Sequence, residues 1–439
     1  MKRLVRALVL VCLAGPPAYA ADLLDIYRQA QANDPTWLAA QANHRAVLEQ
    51  VPQARAGLLP SVDLTANVFE NGQQVKTPAT NNNYDFGSKG YALELVQPIY
   101  NRPRSAGYGQ ALAVATQADF ELALARQDLI VRSARAYLAV LSAREALEHA
   151  RAEKSAVQRL LALARRNFNV GAASLIDVHD AQAAYDLATS QEITATNDLE
   201  TARHALRVLT GNEPGELAGL GGPIEPSLPE PQDIERWVAA AVAQNPSIKV
   251  REQIVEQATQ EIERSRGQHY PTLDFVVARN YNDTFSNNSG APLETTTDQL
   301  GVRFRMPLYQ SGAISARVRE AIARRDATEQ QLEVTRRQLA QQARAAYLAI
   351  MNGMAQVRAL EQARASNQRA LESTVLGQER GLRTGLDVLN NQRTLFRTLR
   401  DLARARYDYI LSRLQLEAVA GTADDKDVID INQLLATTR

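Results

Sequence analysis

Cysteine is almost missing from this chain. Of 439 residues only Cys12 carries a thiol. It sits in a leading segment in which Lys2, Arg3 and Arg6 precede a short apolar run, Ala7 to Leu13, and Ala18-Tyr19-Ala20 offers small residues for cleavage after Ala20. That layout is a secretory signal peptide. The apolar run is too short to cross a bilayer, which takes about 20 residues. Val11 stands where a lipoprotein signal wants a small residue, which argues against a lipid anchor on Cys12. The mature chain then has no thiol, which excludes disulfides, thiol catalysis and thiolate metal sites.

Other absences narrow the reading further. No stretch after the leader holds 18 consecutive apolar residues, so no transmembrane helix is expected. Residence in a membrane would require strands closed into a barrel. Charge of one sign is also lacking. The chain has 49 basic and 49 acidic residues, and losing the leader removes three basic ones. The resulting slight acidic excess excludes a nucleic-acid binder, which carries a basic stripe. His44, His149, His179, His204 and His269 are scattered, with no pair at the helix-face spacing of a zinc site. There is no nucleotide-binding glycine loop and no nucleophile elbow. No enzyme activity, metal or cofactor is expected.

What is present is a repeat. Ala136-Tyr137-Leu138 recurs as Ala346-Tyr347-Leu348. Gly171, Ser174, Asp177, Val178, Gln182 and Gly211 recur 210 positions later as Gly381, Thr384, Asp387, Val388, Gln392 and Gly421. Asn33-Asp34-Pro35 faces Gln244-Asn245-Pro246, and Pro98-Ile99-Tyr100 faces Pro307-Leu308-Tyr309, at offsets within one residue of the same value. The division expected is a signal peptide over 1–20, a first repeat over 21–218, a Gly- and Pro-rich connector over 219–231, a second repeat over 232–421 and a tail over 422–439.

Each repeat reads in one order. A helix (about 22–56 and 232–267) is followed by a strand (near 61–70 and 272–282). A polar loop (Asn71–Gly90 and Asp283–Asp298) leads to a second strand (near 91–98 and 299–306). A very long helix (about 104–169 and 313–379) and a final helix (about 174–209 and 384–419) complete the unit. Proline is absent from 104–213, and Gly353 is the only glycine from 313 to 376. Leu332, Leu339, Ala346, Ile350, Val357 and Leu360 keep one helix face apolar. A helix of about 65 residues is a rod of roughly 100 Å, a length suited to coiled-coil packing or a helical tube.

Val62, Leu64, Ala66 and Val68 alternate with polar residues, as do Leu300, Val302, Phe304 and Met306. This suits a membrane barrel with a wet lumen, and equally a soluble sheet with one exposed face. The signal peptide and the flanking Tyr100, Tyr270, Tyr281 and Tyr309, placed like interfacial aromatics, favour the barrel, with the polar loops as extracellular tips. Four strands cannot close a barrel when the smallest single-chain ones use eight. Strands in lipid must therefore be pooled by several copies.

The duplication, the two helical tips (Phe168 to Val178 and Gly381 to Asn390) and Pro307-Leu308-Tyr309-Gln310-Ser311-Gly312 together resemble the TolC family of outer-membrane efflux proteins. The resemblance spans essentially the whole mature chain. It implies a mainly α fold with a small β part: a duplicated, long-helix coiled-coil tube, and four strands per chain in a trimeric, twelve-stranded transmembrane barrel. It implies an export channel for proteins or drugs, in the outer membrane of a Gram-negative-type cell and spanning into the periplasm. A periplasmic adaptor (membrane fusion) protein and an inner-membrane transporter would be its partners.

Within the tips, Ser174 with Asp177 and Thr384 with Asp387 have capping-box spacing, and Gly171 and Gly381 suit helix C-caps. The resemblance adds a gate. The position of Asp387 lines a constriction as a threefold acidic ring. A second acidic position, one turn on, is Asn390 here, so the ring is weaker. An arginine at the position of Arg383 bonds the neighbouring first tip, where Asp177 is kept. A tyrosine partner is replaced by Gln378, and a hydroxyl partner by Ile176. His179 sits beside the turn with Asp180 and reads as an exposed histidine rather than a metal or pH site. Two alternatives stand against the channel. One is a soluble periplasmic coiled-coil adaptor without its own barrel, opposed by the duplication and paired strands. The other is a secreted enzyme on a coiled-coil scaffold, opposed by the missing catalytic constellation.

Overall fold

A computed structural model describes residues 20–78, 80–222, 225–286 and 291–435. The leader expected from Lys2 to Tyr19 lies outside the described residues. Ten helices and four strands are described. In chain order they are α1 (Leu23–Asn33), α2 (Pro35–Leu48), α3 (Gln50–Ala56), β1 (Ser61–Lys76), β2 (Asn81–Tyr100), α4 (Arg102–Asn169) and α5 (Leu175–Thr210). They continue as α6 (Ile234–Gln244), α7 (Pro246–Gly267), β3 (Thr272–Ser286), β4 (Ala291–Arg305), α8 (Ala313–Glu379), α9 (Gly385–Ala420) and α10 (Asp425–Leu434). The chain is thus mostly helical with a four-stranded antiparallel sheet. None of the described helices is long and apolar enough to cross a membrane.

The long helices form where proline is missing. α4 runs 68 residues and α8 runs 67. The helices expected over 22–56 and 232–267 are instead divided. Asp34 and Asn245 take extended backbone, because each precedes a proline that disfavours the helical conformation at the residue before it. The tail, read only as a tail, contains α10, which Asp424 caps through a box with Asp427.

The residues fall into two compact units. The first comprises residues up to Gln41, Leu122–Pro246 and Arg336 onward. Its main core packs Leu23, Ile26 and Tyr27 with Leu129, Ile130, Tyr137, Leu206 and Ile410. A second cluster gathers Trp237, Tyr347, Ile350, Val357, Leu402 and Tyr409. Of the seam expected on α8, Ile350 and Val357 are fully buried, whereas Ala346 is half-buried and its neighbours Ala343 and Tyr347 go inward. The connector and the residue before it are clamped to these cores. Tyr137 Oη donates to Ala218 O at 2.7 Å, Tyr409 Oη to Ser227 O at 2.7 Å, and Trp237 Nε1 to Pro231 O at 2.9 Å.

The second unit comprises Ala42–Glu121 and Ser247–Thr335. Its sheet has the order β1-β2-β3-β4, every neighbour antiparallel. The strands are longer than expected. The segments read as loops, Asn71–Gly90 and Asp283–Asp298, are mainly strand, because Asn71–Lys76 pairs with Asn81–Phe86 and Asp283 with Glu294. Asn, Thr and Ser made them read as loops, but cross-strand pairing overrides weak strand propensity. The face bearing Val62, Leu64 and Val68, and Leu300, Val302 and Phe304, is exposed in the single chain. Tyr91 and Tyr281 stack on that face with ring centres 5.3 Å apart.

Candidate functional site

The two tips are built by the same local rules. α4 ends at Asn169 and α5 starts at Leu175; α8 ends at Glu379 and α9 starts at Gly385. Gly171 and Gly381 both have φ of 73°, the left-handed region in which a Cβ is penalised. In the first tip Gly171 N donates to Phe168 O and Ala172 N to Asn167 O, at 2.9 and 2.8 Å. In the second, Gly381 N donates to Gln378 O and Leu382 N to Gly377 O, at the same distances. This paired bonding satisfies the last carbonyls of each long helix.

The restarting helices carry the boxes expected from sequence. Ser174 Oγ accepts from Ile176 N at 3.1 Å, and Asp177 Oδ2 accepts from Ser174 N at 2.9 Å. Thr384 Oγ1 accepts from Asp387 N at 3.2 Å. Asp387 Oδ2 accepts from Thr384 N and from Thr384 Oγ1, both at 3.0 Å. These donors, the Thr384 N–H first and its hydroxyl second, hold the Asp387 carboxyl below its ordinary value, and Arg383 adds to the effect. Both aspartates therefore have one oxygen committed to their own helix.

Arg383 is exposed, and its guanidinium makes no hydrogen bond or ion pair among the described residues. Its stem lies across the last turn of α8, where a Cβ on Gly377 would come 2.9 Å from Arg383 Cγ. Gln378 is half-buried and its Nε2 would sit 3.4 Å from a Cβ on Gly385. Asn390 is exposed one turn beyond Asp387. Val170, Ile176 and Leu382 are 73%, 69% and 77% exposed, so each tip ends in bare apolar side chains. His179 is exposed. No group of three or more His, Cys, Asp or Glu side chains able to hold a metal occurs among the described residues.

Sequence reasoning missed Gly377, whose signal was a glycine in the final turn of a helix otherwise almost free of them. It also missed the polar contacts behind the tips. Asn391 Nδ2 donates to Thr374 Oγ1 at 2.7 Å, and Asn367 Nδ2 to Thr398 Oγ1 at 2.9 Å. Further along, Arg400 Nη1 reaches Glu153 Oε2 at 2.6 Å, with the Glu153 side chain only 4% exposed. This charge pair joins one helix to another, and only tertiary structure pairs residues so far apart.

Comparison with known proteins gives a consistent set of likenesses. The family model described as outer membrane efflux protein matches residues 26–212 and 237–422. The outer membrane protein TolC of Vibrio cholerae is 35% identical over 438 residues, 98% of each chain. The alkaline protease secretion protein AprF of Pseudomonas aeruginosa is 29% identical, covering 98% of this chain and 90% of its own. The CmeC outer membrane channel of Campylobacter jejuni superposes with a TM-score of 0.80 at 17% identity, over 94% of this chain and 90% of that one.

Proposed function

The chain belongs to the outer membrane efflux protein family, and from that premise we propose that three copies pool their strands into a twelve-stranded barrel continued by a helical duct. The chain itself is an outer-membrane export channel serving secretion or efflux. One observation carries the three-copy reading. β1 and β4 each pair with a single neighbour, so the four-stranded sheet has two open edges. In lipid those edges must be satisfied by strands, and one chain has too few to close on itself. Native mass spectrometry in detergent is expected to give three chains, each beginning at Ala21 and free of lipid. A stable single chain overturns the barrel.

The tips form the periplasmic gate in this reading. Three Asp387 side chains converge on a constriction, each through Oδ1, because Oδ2 is bound to Thr384. Arg383, with no partner of its own, bonds the first tip of the next copy, where Asp177 keeps Oδ1 available. Asn390 adds no charge to the ring, and Gln378 and Ile176 add little to the closing bonds. The bare Val170, Ile176 and Leu382 meet a periplasmic adaptor that joins the channel to an inner-membrane transporter. The two matched segments and the common element order support an origin by duplication of one unit, with boundaries at 21–218 and 232–421 around the 219–231 connector.

A further inference from the structure

The sheet carries enough pattern to fix how one copy joins the next, and this deepens the three-copy reading on which it rests. The ladder row through Val62, the innermost apolar residue of β1, crosses Leu95 and Val277 and reaches Leu300, the residue of β4's apolar three nearest its hairpin. The centre of the apolar run lies between Leu64 and Ala66 on β1 and at Val302 on β4. Across three strand-to-strand steps the band thus slips about five residues against the ladder, about 1.7 per step, as strand tilt in a closed barrel requires. One more step sets Val302 about 1.7 residues beyond the centre of the next β1. Because faces alternate, the matching residue is Ala66.

The geometry points to an antiparallel seam in which Val302 lies opposite Ala66 of the partner subunit and Arg305 opposite Asp63 of the partner subunit. In this register Leu300 meets the partner subunit's Val68, and Phe304 meets the partner subunit's Leu64. The apolar band then runs unbroken around the barrel. On the other face Arg305 and Asp63 have no side-chain partner among the described residues of their own chain, and the seam gives each an opposite charge. Asp298 meets the partner subunit's Glu70, but Arg279 already offsets its charge at 3.5 Å.

Closure adds an independent constraint. Passing from Val62 through Leu300 to the partner subunit's Val68 advances six residues per copy. Three such advances give a strand tilt of about 45° for a rise of about 3.3 Å and a spacing of about 4.8 Å, within the observed range of roughly 35–45°. Sliding two residues one way steepens the tilt to about 54°. Sliding two the other way leaves Arg305 against Ser61 and sets Asp63 against Arg303, which already holds Glu94 at 3.3 Å.

Oxidative crosslinking tests the register directly. Val302→Cys is combined in turn with Leu64→Cys, Ala66→Cys and Val68→Cys, with Val302→Cys alone as the control for Cys12. A ladder ending at three linked chains is expected chiefly from Ala66→Cys. Dominant linkage through Leu64→Cys or Val68→Cys overturns this register while leaving the three-copy reading standing. A three-chain mass with no linkage from any pair also overturns the register. No linkage together with a one-chain mass overturns both. Charge reversal tests the ion pair. Asp63→Arg and Arg305→Asp should each lower the temperature at which the assembly dissociates in detergent, since like charges opposite one another repel. The double variant should restore it, and absence of restoration removes the ion pair.

Discussion

At the scale of residues, the proposed gate would give Asp387 a second task beside capping, on a different oxygen. The capping task is insensitive to ordinary pH. Its folded value is depressed, so the stability it contributes is complete above the unfolded carboxylate value of about 4. That stability is lost only as pH falls through the lower folded value. Between about pH 5 and 8 the tip should therefore hold its structure, and a cation block measured in planar bilayers should stay constant. Asp387→Ala should relieve that block; equal block in both proteins removes Asp387 from the lumen. Arg383→Ser should raise single-channel conductance with the assembly intact. Gly377→Ala offers a second route to the same effect. The new Cβ meets only the flexible Arg383 stem, so the arginine is displaced, while helix propensity improves by up to about 1 kcal/mol. Conductance equal to that of the unmodified protein in both variants places the closing force elsewhere. The boxes and C-cap glycines were legible in sequence because they act over three to five residues. The clasp of Arg383 on Gly377 was not, because it depends on how α8 ends in space.

At the scale of elements, the long helices were legible from what interrupts other helices, and their partners were not. Pro35 and Pro246 mark breaks at Asp34 and Asn245 that the continuous helices expected over 22–56 and 232–267 overlooked. The strands were cut short because polar composition stood in for a loop. Helix-to-helix contacts such as Arg400 with Glu153 join positions 247 residues apart, beyond any local pattern. Arg400→Ala leaves Glu153 buried without its partner and should cost about 3 kcal/mol, near the low end for breaking such a pair, because Arg400 is 25% exposed. Loss of helical circular dichroism on heating measures it. Arg400→Leu with Glu153→Leu should recover most of the loss, since apolar replacement of both partners is often neutral. No recovery would mean that Arg400 contributes through other contacts.

At the scale of the whole molecule, the family was visible in the sequence from the repeat and the tips, and the proposal of several copies rests on four strands that cannot close. The seam register was beyond reach, because it depends on how far the apolar band slips against the ladder, which only the paired strands reveal. One feature of those strands reaches beyond transport. β2 is 20 residues long, about 66 Å at about 3.3 Å per residue, or roughly 45 Å of height at the tilt expected of such barrels. An apolar belt occupies about 25 Å. In the proposed barrel the remainder is a hydrogen-bonded palisade standing clear of the lipid. A protease needs a strand it can pull out and straighten, and here β2 is hydrogen-bonded to β1 along Asn81–Val96 and to β3 as well from Lys89 onward. Trypsin added to intact cells should therefore spare Lys89, which is paired with Val68 on one side and Asp283 on the other, leaving the channel whole in a medium that digests looser surface proteins.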